Sequence, residues 1–126
     1  MTKKMSEIML EMAATLLKDP INPSSEAAHA ALLFAHLAWN KANGVKDISY
    51  RWYRKVLEEF EYSNPDLWNE FIFTSHGKMI KLLVAYKNQF YSRDSRVIHV
   101  CGMRKNNVHV EWLDAPAINE NHCNIL

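Results

Sequence analysis

The chain has 126 residues, of which 48% are hydrophobic and 23% charged, with a formal net charge of +1. That is the size and composition of one globular domain with a core of its own, which excludes a disordered chain or a miniprotein held together by disulfides or metal. The balance of charge excludes a protein that coats a polyanion over its whole surface, and no uncharged apolar run approaches the ~20 residues that span a bilayer. The two cysteines, Cys101 and Cys123, are too few for a disulfide framework, so reduced thiols and a cytoplasmic location are expected.

Charge is unevenly distributed. Residues 1 to 77 carry eight bases and ten acids, residues 78 to 105 seven bases and one acid, and residues 106 to 126 three acids alone. With only three glycines, at Gly44, Gly77 and Gly102, many tight turns are ruled out and helix should dominate.

Taking the chain in order, Met5, Ile8, Met9, Met12 and Leu16 recur at helical steps and predict an amphipathic helix to Lys18. Glu7 and Glu11 interrupt what would otherwise be the apolar core of a signal peptide. The methionine stripe reads as ordinary core rather than an adaptable docking surface. Asn22-Pro23 suits an N-cap followed by proline, opening a second helix to about Ala42. Its middle, AAHAALLFAHLAW, is apolar almost all round and predicts the central helix. His29 and His36 lie seven apart on one face, without the one-turn partner a metal pair would have, and read as packed histidines.

Gly44 is a helix stop, and Asp47 or Ser49 can cap a third helix to about Tyr62 with Ile48, Trp52, Tyr53, Val56, Leu57 and Phe60 inward. Glu58, Glu59 and Glu61 read as its solvated face. Asn64-Pro65 opens a short fourth helix, to about Phe73, with Leu67, Trp68, Phe71 and Ile72 inward. Thr74 to Gly77 breaks the chain. A fifth helix over 78–91 has Met79, Leu82, Leu83, Tyr86 and Phe90 as its core stripe. VIHVCGM and VHVEWL then alternate and predict a β-hairpin over about 97–113. A three-residue loop of Lys105, Asn106 and Asn107 would place Ile98, Val100 and Gly102 on one apolar face with Val108, Val110 and Trp112. The tail, 115–126, has no periodicity and reads as loose.

Three constellations bear on function. The order of short helix, glycine-containing break, basic helix and hairpin resembles the second half of a winged helix-turn-helix domain, a likeness of topology and charge over about residues 64–113. That resemblance implies a DNA-binding surface made of Lys78, Lys81, Lys87, Asn88, Arg104 and Lys105, with the basic helix in the major groove. The same residues also read as a solvated face. The second constellation, His99, Cys101, His109 and Glu111, would share the hairpin's other face in the register above and could then ligate a metal. No cofactor is expected from it, because the paired short spacings of structural zinc sites are absent. The third, Cys123 to Leu126, fits a prenylation pattern only loosely and reads as coincidence, so no membrane partner is expected.

The fold expected is mainly α within the α+β class: one domain of about five helices packed around residues 23–42, with a C-terminal hairpin. The function expected is binding or regulation without catalysis, through an unidentified protein partner or self-association. Tyr50, Tyr53, Trp68, Tyr86, Tyr91 and Trp112 exceed what a core of this size needs and would suit an interface. DNA binding stands second and a metal-dependent site third.

Overall fold

The computed structural model describes residues 3–45, 50–104 and 107–113, with the side-chain surroundings of 3–45, 53–98 and 108–112. Among the described residues there are four α-helices, α1 (Met5–Ala14), α2 (Ser25–Ala42), α3 (Tyr50–Ser63) and α4 (His76–Phe90). A single 3-10 turn (Leu67–Glu70) precedes α4, and β1 (Val97–Arg104) pairs with β2 (Asn107–Leu113) after it. The chain is thus mainly helical with an antiparallel hairpin, but with four α-helices where about five were expected.

The fifth helix is lost for the same reason that α1 stops at Ala14 and not Lys18. Ile72 N–H donates to the Leu16 carbonyl at 2.8 Å and Lys18 N–H to the Glu70 carbonyl at 2.9 Å, so 16–18 and 70–72 form an antiparallel bridge. Backbone groups used across that bridge cannot also close helical turns. Phe71 is accordingly extended, at φ −103° and ψ 150°.

α2 is the central helix, with an unbroken buried run from Ala30 to Asn40. Its cap is Ser24 and not Asn22: the Ser24 hydroxyl accepts from Ala27 N–H at 3.2 Å. Glu70 holds that cap, accepting from Ser24 N–H at 2.8 Å, and bonds to Ser24 push its carboxyl below the usual range. At the other end, Gly44 N–H donates to the Lys41 carbonyl and Val45 N–H to that of Asn40, with Gly44 at φ 85°. This is a Schellman stop, which requires the left-handed residue that glycine supplies. The expected caps of α3, Asp47 and Ser49, lie outside the described residues.

The methionine stripe is core: Met5, Met9 and Met12 are all buried. α1 and α4 pack on α2, and β1 lies against α2 with β2 against α1. The hairpin is fastened by Asn40, itself buried, whose amide donates to the Ile98 carbonyl and accepts from Ile98 N–H, both at 2.8 Å. Trp39 Nε1–H and the Asn43 amide both donate to the Arg96 carbonyl.

The hairpin register corrects the expected one. Arg104 pairs with Asn107, so two residues and not three lie between the strands, and those two, Lys105 and Asn106, fall outside the described residues. Beyond them Met103 faces Val108, Gly102 faces His109, Cys101 faces Val110 and Val100 faces Glu111. An irregularity between Ile98 and Val100 then absorbs His99 and sets Ile98 opposite Trp112, so that these two share a face as expected, although the expected register paired Trp112 with Val100. One residue fewer in the loop exchanges the faces, and one extra residue in β1 exchanges them back.

Candidate functional site

The expected DNA-binding set is divided. Lys78, Lys81 and Asn88 are exposed on the outer side of α4, but Lys87 is 1% exposed. Its ammonium donates to the carbonyls of Tyr91 at 2.9 Å and Asp94 at 2.7 Å and lies 4.8 Å from the centroid of a Trp39 ring. Burial pulls the Lys87 pKa below the ordinary lysine value, with Asp94 working against it. Lys87 therefore ties the end of α4 to the loop that follows, and cannot reach a phosphate. Arg104 closes β1, while its side chain and Lys105 are outside the described set. The winged-helix likeness stops at element order, because the first helix of its pair is a 3-10 turn and the hairpin packs mainly on α2 and α1.

The expected metal set is divided by the register. Cys101 stands level with Val110, one step out of phase with His109 and Glu111, and His99 sits at the irregularity. His109 Nε2 lies 2.8 Å from Glu111 Oε2 on the same strand. Among the described residues no three metal-competent side chains converge.

The aromatics expected at an interface are partly core. Tyr53 is buried; Trp68, Tyr86 and Tyr91 are half-buried; Trp112 is 42% exposed. Tyr50 lies outside the residues with described side chains. Tyr91 reaches Glu11 with its hydroxyl at 2.8 Å, and Tyr86 bonds the same carboxylate. Burial, followed by the bond to Glu11, pushes both phenols up. For Glu11 burial acts upward, but bonds from Lys3, Tyr86 and Tyr91 outweigh it and the carboxyl ends low.

What the structure assembles instead is an open groove of about 880 Å³ between the start of α1 (residues 3–6), the 93–96 segment and Val108, His109, Val110 and Trp112 of β2. A hydrogen-bonded chain that begins at Lys87, outside the lining, runs into the groove wall. The Asp94 carbonyl receives Lys87, and the Asp94 carboxylate receives Arg96 Nε–H at 2.9 Å as well as its Nη2. Arg96 Nη2 also donates to the Lys3 carbonyl at 2.9 Å, and the guanidinium lies 5.0 Å from the centroid of a Trp112 ring. Burial alone would raise the Asp94 pKa, yet the bonds from Arg96 bring it below the carboxylate range. Arg96 and Asp94 thus neutralise each other within the wall. Lys3 is paired with Glu11. Lys4 and Arg93 are left exposed at the rim with no ion pair among the described residues.

Sequence reasoning noticed the basic stretch to which Arg93 and Arg96 belong but assigned its role to α4. It had no signal that Lys3 and Lys4, some ninety positions earlier in the chain, complete the same surface. What the fold and the groove define is a mainly helical α+β domain with a cleft beside its hairpin that is lined by Trp112 and rimmed by Lys4 and Arg93. Comparison with protein-family models, with curated proteins and with solved structures finds no match to this chain.

Proposed function

We propose that this chain is a non-enzymatic binding protein acting through protein contacts, and that the groove beside β2 is its recognition surface. The observation carrying this reading is Trp112, 42% exposed, on the wall of a groove whose rim presents Lys4 and Arg93. Interface centres are enriched in aromatic and arginine side chains, and the remaining charged groups here are occupied in holding the wall. The volume falls within the ~300–1,000 Å³ of ligand clefts, but the groove is open to solvent, which suits a chain laid across it.

The test is selection of a random peptide library on immobilised protein, with clones then compared on wild type and on Trp112→Ala. Enriched peptides that lose most of their affinity for Trp112→Ala support the reading. No enrichment, or peptides indifferent to Trp112, would overturn it. Nucleic-acid binding keeps Lys78, Lys81 and Asn88 in its support, all exposed along α4. Without Lys87 they are few for a phosphate-tracking surface.

A further inference from the structure

Resting on the reading of the groove as a recognition surface, we infer that its occupant is an acidic peptide segment, extended and laid along β2, with carboxylates alternating with apolar residues. Charge complementarity argues for it. The lining contains Lys3, Lys4, Arg93 and Arg96 against a single acid, Asp94. Asp94 is spent on Arg96, and Lys3 on Glu11. Of the charges in the lining, those of Lys4 and Arg93 are left to face a partner, both positive, while the exposed Glu111 of β2 lies outside the lining and holds His109.

The β2 side of the lining is mostly apolar, with His109 between Val108 and Val110, while Ser6 and Ser95 are polar groups on the opposite side. Val108 and Val110 are half-buried and Trp112 is 42% exposed, and these three sit at alternate positions of β2. A ligand matching both features needs anionic groups and apolar groups in alternation, which is the two-residue period of an extended chain. β2 pairs with β1 alone among the described residues. An extended chain lying in the groove alongside β2 turns one set of alternate side chains toward Val108, Val110 and Trp112 and the other toward Lys4 and Arg93. A small anion would leave the Trp112 and valine wall uncovered. A nucleic acid would meet two free cations where a tracking groove needs several.

The experiment is fluorescence anisotropy with a fluorescein-labelled peptide of alternating glutamate and valine, alongside serine-valine and lysine-valine peptides and a mixed-sequence DNA duplex. The proteins are wild type, Lys4→Glu with Arg93→Glu, and Trp112→Ala. Both cations are exposed, so the charge-reversed protein should keep its melting temperature, measured in parallel. The expected result is saturable binding of the glutamate-valine peptide, weakened roughly tenfold or more by charge reversal as two exposed pairs become repulsive. That binding should also weaken as salt rises. If the serine-valine peptide binds as tightly and ignores the charge reversal, the acidic specificity is overturned while the groove survives as a peptide site. If the duplex binds and the glutamate-valine peptide does not, the occupant is a nucleic acid and the inference is overturned. If no peptide binds, or if binding ignores Trp112, the reading of the groove as a recognition surface fails as well.

Discussion

Replacing Lys87 by alanine should destabilise the fold without touching any exposed surface. The side chain is 1% exposed, so the substitution removes its stem beyond Cβ from the core, at about 0.8 kcal/mol for each methylene. It also leaves the Tyr91 and Asp94 carbonyls without their donor, at about 1–3 kcal/mol for each group that stays buried. Against these losses, the desolvation cost of the ammonium, several kcal/mol, is relieved. The balance is a loss of about 3 kcal/mol, or roughly 10–15 °C in melting temperature for a domain of this size. Circular dichroism during thermal and urea unfolding measures it, with Lys78→Ala and Lys81→Ala, both exposed, as controls that should stay within about 0.5 kcal/mol of wild type. A Lys87→Ala protein as stable as those controls would refute the reasoning, because Lys87 would then be solvated and free for a ligand.

Asn40→Ala should cost about 2–4 kcal/mol in the same unfolding assay, since it leaves both backbone groups of Ile98 without partners inside the core. Stability should also fall on acidification in two stages, followed by tryptophan fluorescence. Burial against Phe34, Tyr53 and Trp68 lowers the His76 pKa, so its contribution is present above the unfolded value of about 6.5 and is lost as pH falls through the lower folded value. Glu11, Glu70 and Asp94 also have depressed values, and their contribution is lost further down, below the ordinary carboxylate range of about 4. Gly44→Ala should cost about 1 kcal/mol through its left-handed backbone alone, because a Cβ there meets nothing within 4 Å.

Much of the helical fold was legible because its signals are local. The all-round apolar run of α2 marked the central helix, and Gly44 marked its end. Where a segment's backbone found a distant partner, the local signal was overridden. The run 65–73 has helical spacing, but the bridge to 16–18 draws its end into extended chain. Met79, Leu83 and Lys87 stand at four-residue steps, so the spacing itself put Lys87 on the buried stripe. Its charge argued for the surface, and only the two loop carbonyls that receive its ammonium, together with the Trp39 ring, make burial tolerable. The hairpin was recognised by alternation, but alternation cannot count loop residues or foresee the irregularity at His99, so the observed register puts Cys101 out of phase with His109 and Glu111. The groove was illegible for another reason. Its cations come from residues 3–4 and 93–96, some ninety positions apart, and are brought together by the fold, with Arg96 bonded to the Lys3 carbonyl.

The most direct measurement of where this protein binds is a pair of amide proton-nitrogen correlation spectra recorded during titration with the glutamate-valine peptide. Shift changes are expected at Lys4, Arg93, Ser95, Val110 and Trp112, with the outer side of α4 unmoved. Changes centred on Lys78, Lys81 and Asn88, with the groove silent, would contradict the assignment and return recognition to α4.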